Sequence, residues 1–218
     1  MRIHTYGDSH ATFPFNNIPG ICTHHLGARL CYTFGKKKLE LVNISGHVNS
    51  GDAVIFCFGE IDCRCHIYRL GHPQGLYITD SNPYDMIIDQ IVREYFKAIE
   101  MNQKLVKNVK ILVFAVPPPE KQDGVFRVAY GEPGWDPTDP FTTWGYDEDR
   151  KRYQVYFNKA LKKKCEEVGY IFLDVTDKVT DEQGFLMKQY SLPGGVHITD
   201  SVFVTEFLKQ ALPDSGLL

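Results

Sequence analysis

Ser9 and His197 are the residue types that nucleophilic catalysis needs: a hydroxyl to attack a carbonyl carbon and an imidazole to take its proton. Ser9 stands in Gly7-Asp8-Ser9-His10, directly after a short segment, Arg2 to Tyr6, that reads as a first strand. In a strand-to-helix turn, backbone N–H groups around such a serine can point at a developing negative charge. His197 stands in Pro193-Gly194-Gly195-Val196-His197-Ile198, just before the final helical stretch. A loop in that place returns to the carboxyl edge of a sheet and can bring His197 to Ser9. Gly-Asp-Ser by itself also serves as a plain turn, and its position after the first strand is what gives it weight. Asp8 fits a role in holding that turn through its backbone groups.

The elements that must position these residues follow from the apolar pattern. Asp52 to Phe58 (DAVIFCF) and Lys110 to Val116 (KILVFAV) are continuous apolar runs, the mark of strands buried on both faces. Pro117-Pro118-Pro119 stops the second. Ile21 to Leu26 and Tyr170 to Val175 complete five strands. Helical periodicity runs from Tyr84 to Ile99, from Asp147 to Val168 with Gly169 as the stop, and from Asp200 to Leu212 with Thr199 or Asp200 as cap. Strands alternating with helices predict βαβ units and a mostly parallel sheet covered on both faces. Such sheets carry their sites at the carboxyl ends of the strands, where Gly7-Asp8-Ser9-His10 and Gly59-Glu60-Ile61-Asp62 fall. Two long stretches without periodicity, His66 to Pro83 and Pro117 to Tyr146, are expected to rim the site. The second holds Trp135, Phe141, Trp144 and Tyr146. Trp135, Trp144 and Tyr146 are expected either to lie near the pocket and offer flat faces to a sugar ring or to pack as a satellite core.

The chain has 218 residues, 43% hydrophobic and 23% charged, with a formal net charge of -3. That is ordinary globular usage, suited to a single domain over residues 1–218. The charge gives no attraction to nucleic acid or to an anionic membrane. The one basic run, Lys36-Lys37-Lys38, reads as a solvated face. The longest apolar stretch, Ala53 to Phe58, falls far short of the ~20 residues a membrane span needs. No apolar leader opens the sequence, so a cytoplasmic location is expected, with the six cysteines reduced. Cys57 reads as a buried small hydrophobe. Cys63, Cys65 and His66 invite a metal reading, but without a second ligand cluster at zinc-like spacing neither a metal nor a cofactor is implied.

Taken together, these motifs resemble the SGNH/GDSL hydrolases. Gly7-Asp8-Ser9 matches the family's first block, whose serine is the nucleophile. Gly27 resembles its second-block glycine, an oxyanion-hole donor. Gly59-Glu60-Ile61-Asp62 occupies its G-x-N-D block, and His197 the place of its C-terminal histidine. The resemblance implies catalytic Ser9 and His197, an oxyanion hole from Ser9, Gly27 and Gly59, and a three-layer α/β/α sandwich with a five-stranded parallel, flavodoxin-like sheet. With Gly27 in that role, Lys36 to Ser50 is free to act as a strand crossover. Phe58-Gly59-Glu60-Ile61-Asp62-Cys63-Arg64 further resembles a subgroup associated with glycan biosynthesis, which implies a sugar-linked acyl group as substrate.

Two positions depart from the family. Ile61 stands where the family has an asparagine donor to the oxyanion. Arg64, three residues on, either supplies that donor, binds an anionic group of the substrate, or pairs with Asp62 or Glu60. Gly194 stands where the family has the aspartate that orients the histidine, so the site is a Ser-His dyad or borrows an acid. Asp62 and Glu60 are the nearest candidates by topology, since Asp200 is better placed to cap the final helix. The chemistry implied is ester hydrolysis on an acylated carbohydrate through an acyl-Ser9 intermediate, with a small-molecule or glycan substrate. Acyl transfer to a sugar hydroxyl would use the same residues. A non-catalytic glycan-binding module is the alternative that the two departures favour.

Overall fold

The sheet is built from β1 (Ile3–Gly7), β2 (Ile21–His25), β3 (Ala53–Cys57), β4 (Lys110–Phe114) and β5 (Ile171–Leu173). All neighbours pair in parallel, in the order β2-β1-β3-β4-β5. These are features of a computed structural model that describes residues 1–71, 83–122, 144–191 and 195–217. The helices are α1 (Cys31–Lys37), α2 (Ile67–Gly71), α3 (Pro83–Gln103), α4 (Asp147–Val168), α5 (Thr176–Val179) and α6 (Ser201–Ala211).

Side chains alternate across the central strands, and this makes three layers. Val54, Phe56, Ile111 and Val113 face a cluster with Cys31, Phe34, Ile88, Tyr95, Phe157 and Leu161, contributed by α1, α3 and α4. Ala53, Ile55, Cys57, Leu112 and Phe114 face Ala11, Phe15, Val204 and Leu208, the last two from α6. The predicted α/β/α sandwich with five parallel strands is therefore the observed fold.

Boundaries differ in instructive places. β5 is three residues long rather than six, and β4 stops at Phe114. α4 has the expected limits, with Gly169 closing it in the left-handed conformation at φ 76°. The expected crossover at Lys36 to Ser50 begins earlier, with α1 at Cys31, so Lys36 and Lys37 form the last turn of a short helix. Among the described residues no helix is long and apolar enough to cross a membrane.

Candidate active site

A single register row places the three candidate oxyanion donors. Gly7 on β1 is opposite His25 on β2 and Cys57 on β3. Ser9, Gly27 and Gly59 each lie two residues beyond that row, at the carboxyl ends of three adjacent strands. This is also where the chain direction divides: the connection from β1 leads to β2 on one side, and β3 lies on the other, as in open α/β sheets that bind ligands at such a switch point.

Two of the glycines bordering this edge are sterically required. A Cβ on Gly7 would lie 2.0 Å from the Cys57 carbonyl oxygen. A Cβ on Gly59, at φ +120°, would lie 2.7 Å from Val116 Cγ2 and 3.1 Å from the Phe157 ring. Gly27, at φ +75°, has open space around it.

Ser9 opens a short 3-10 turn, Ser9–Ala11, whose cap is Asp8: its Oδ1 accepts from the His10 N–H at 2.8 Å. Thr5 Oγ1 ties the turn down by donating to the Ala11 carbonyl at 2.5 Å. The first N–H groups of such a turn have no backbone partner within it, and Asp8 satisfies that of His10.

His197 comes from the segment that leads into α6. Its Nε2 lies 2.6 Å from Ser9 Oγ. The imidazole is held between two rings, Phe13 at 4.4 Å between centroids and His10 at 4.7 Å. Its pKa is lowered to about 4, first by burial and then by the neighbouring His10, with Asp8 opposing. The ring is thus neutral at neutral pH and able to take a proton. Among the described residues, no carboxylate is hydrogen-bonded to His197; Gly194 lies outside them.

The carboxylates at the end of β3 are engaged elsewhere, which corrects their expected role as a borrowed acid. Asp62 is fully buried and accepts from the N–H groups of Cys31 at 2.6 Å and Tyr32 at 3.1 Å. It caps α1 from a distant part of the chain, since the local cap position, Leu30, offers no side-chain acceptor. Burial pushes its pKa up to about 7 against those two donors. Asp62→Asn, which keeps an acceptor oxygen, is expected to leave reactivity of Ser9 unchanged. Asp62→Ala is expected to lower stability by about 1–2 kcal/mol, as loss of a helix cap does. Thermal melts beside serine-probe labelling check both, and loss of labelling in folded Asp62→Asn would return the carboxylate to the chemistry.

Glu60 accepts from Arg64 Nε at 2.8 Å, so of the readings open for Arg64 the ion pair with Glu60 is present. Residues Asp62–His66 form a single π-helical turn, a local device frequent at functional sites. Cys65 Sγ in this turn donates to the Ile61 carbonyl at 3.1 Å. A small, largely apolar crevice beside the turn, with room for about one water, is lined by residues that include Cys63, Arg64, Val116, Pro117 and Val196, and so adjoins the segment that carries His197.

The aromatic residues divide. Trp135 and Phe141 lie outside the described residues. Trp144 is 8% exposed and packs edge-on against Tyr68, with its backbone N–H on the Arg64 carbonyl at 3.0 Å. It belongs to packing rather than to an open sugar platform. Trp144→Ala is expected to cost about 3 kcal/mol of stability, as large-to-small changes at buried aromatics do, measured by denaturant unfolding. A change in substrate affinity at unaltered stability would contradict that assignment. Tyr146 is exposed; its N–H donates to Asp149 Oδ2 at 2.9 Å at the start of α4. It lines a hollow with Lys121, Gln183 and Phe185 that holds neither Ser9 nor His197.

Reading residue types and motifs missed His10. This residue is 3% exposed and sits between Asp8 and the Val196 carbonyl. The only sequence signal was its place beside Ser9.

The sequence matches no protein-family profile and no curated protein. Solved structures do match. A GDSL-like lipase from Bacteroides thetaiotaomicron aligns with 98% of this chain and 88% of its own at 14% identity and a TM-score of 0.63. A catalytic mutant of an acetylxylan esterase from Geobacillus stearothermophilus aligns with 100% and 94% at 13% identity and a TM-score of 0.54. The aryl esterase of M. smegmatis aligns with 96% and 98% at 13% identity and a TM-score of 0.54. The chain has the fold of the GDSL-like hydrolases.

Proposed function

We propose that the chain is a serine ester hydrolase that removes an acyl group from an acylated carbohydrate. The observation that carries this reading is the 2.6 Å contact between Ser9 Oγ and a neutral His197 Nε2 at the carboxyl edge of the sheet. His197 takes the Ser9 proton as Oγ attacks the ester carbonyl carbon. The oxyanion so formed would meet the N–H groups of Ser9, Gly27 and Gly59. Collapse expels the sugar oxygen, which receives the proton from His197, and leaves an acyl-Ser9 ester. Water, deprotonated by His197, then attacks that ester, and Ser9 recovers its proton.

A carbohydrate substrate is supported by the acetylxylan esterase among the structural neighbours. Transfer of the acyl group to a sugar hydroxyl in place of water needs the same serine and histidine, and differs only in the acceptor.

The test is labelling with a fluorophosphonate probe, followed by acetate release from an acetylated xylose oligomer. Labelling lost in Ser9→Ala, together with acetate release, is the expected result. Acetate that appears on an added sugar instead of in solution would favour transfer. No labelling of the folded protein would end the enzymatic reading.

A further inference from the structure

Three contacts converge on His10. Its Nδ1 lies 2.9 Å from Asp8 Oδ1, its Nε2 lies 3.1 Å from the Val196 carbonyl oxygen, and its ring stands against the ring of His197. Asp8 Oδ1 also accepts from the His10 backbone N–H, and a carbonyl oxygen only accepts, so each ring nitrogen of His10 faces an acceptor. The arrangement favours the protonated, cationic form of this buried ring. Burial works against that charge, but Asp8 in contact and Glu60 nearby outweigh it, and its pKa is raised. The groups facing His197 itself are His10, Asp8, Arg64 and His25.

Val196 is the residue before His197. Beyond it, Ile198 is buried in the core below the sheet, and the Thr199 N–H donates to the Tyr190 carbonyl at 2.9 Å. The segment is thus anchored after His197 by packing and a backbone bond, and before it by His10. No described carboxylate fixes the ring through its other nitrogen. Resting on the reading of Ser9 and His197 as nucleophile and base, we propose that His10 is the positioning residue of this site. Anchored by Asp8, it donates its Nε2–H to the Val196 carbonyl and so holds the backbone at which His197 Nε2 meets Ser9. In a triad a carboxylate orients the base by its ring; here a second histidine does so through the main chain. The arrangement also sets charge: a fixed cation beside the base favours its neutral, proton-accepting form.

The experiment compares the wild-type chain with His10→Phe, His10→Gln and Ser9→Ala. His10→Phe keeps a flat ring against His197 but loses the donor and the charge. His10→Gln keeps a donor and loses the charge. The first readout is the rate of fluorophosphonate labelling against pH; the second is direct titration of His197 by nitrogen-15 NMR, which needs no activity. His10→Phe is expected to label at least tenfold more slowly, with the His197 midpoint moved up from about 4 toward its ordinary value. His10→Gln is expected to recover part of the rate while keeping the raised midpoint. A purely structural His10 would leave the midpoint where it is. The proposal is overturned if His10→Phe folds and labels at the wild-type rate with an unmoved midpoint. It is equally overturned if His10→Phe unfolds and His10→Gln behaves as wild type in both readouts. If the wild-type protein itself does not label, the proposed hydrolase function fails, and the NMR midpoints still decide whether His10 governs His197.

Discussion

Ser9→Ala and His197→Ala are each expected to lower ester turnover by at least about 10²-fold, and the double variant no further. Members of one catalytic unit are not additive: once the nucleophile is lost, the base has nothing to deprotonate, and the reverse also holds. The figure is smaller than for a complete triad: among the described residues no carboxylate orients His197, and loss of such a carboxylate costs ~10⁴-fold in turnover. A site of this kind suits esters, whose leaving alkoxide departs more readily than an amine. The pH dependence follows from the same ring. His197 accepts a proton only when neutral, and its pKa is lowered to about 4 by burial and by His10. The rate against pH should therefore rise on an acid limb near 4 and be level by pH 6.5. Stability moves with it. Between 6.5 and about 4 the unfolded chain binds a proton at this residue that the folded chain does not. Stability is thus lost as pH falls through that window. Initial rates and melts over pH 3.5 to 8 check both limbs. A limb centred at the ordinary histidine value would show that the base is not held as described. Additive losses in the double variant would separate the two residues mechanistically.

Gly7→Ala is the substitution expected to damage the fold most, by about 4 kcal/mol or more, the range reserved for severe defects of packing or backbone. The new methyl would stand 2.0 Å from the Cys57 carbonyl oxygen. That oxygen belongs to the backbone of a central strand, so no side-chain rotation can relieve the contact, and β1 would have to part from β3. Gly59→Ala meets the movable Val116 side chain and adds strain at φ +120°; it should be costly but less so. Gly27→Ala meets nothing within 4 Å and carries only the strain of φ +75°, about 1–2 kcal/mol. Denaturant midpoints for the three variants should fall in that order. A Gly7→Ala protein as stable as Gly27→Ala would mean that the two strands can separate without loss.

What the sequence made legible was whatever local pattern determines. The short apolar runs around Ile55 and Leu112 carried the mark of strands buried on both faces. The 3.6-residue period before Gly169 delimited α4 because its stop is local. The places of Gly7-Asp8-Ser9-His10 and Gly59-Glu60-Ile61-Asp62 directly after their strands located the sheet edge. What stayed hidden depends on partners far along the chain. α1 is short, contains Gly35 and two terminal lysines, and takes its cap from Asp62, so nothing beside it announces a helix. Asp62 looked like a spare acid because its two donors belong to residues 31 and 32. Trp144 stayed undecided between platform and satellite core because its cover, Tyr68, lies on another element. His10 drew no reading at all because its acceptor, Val196, lies 186 positions along the chain. In each case the side chain's chemistry was visible and its address was not.

The separation of 188 residues between Ser9 and His197 has a kinetic consequence. A contact of that span forms late because the entropy of closure must be met first. The nucleophile's turn can be complete as soon as β1 has β3 beside it, while its partner waits for the segment around Ile198 to dock under the sheet. During refolding, helical content and sheet burial should therefore return before reactivity does. The appearance of a reactive Ser9 becomes a clock for the last step of folding, read at one atom.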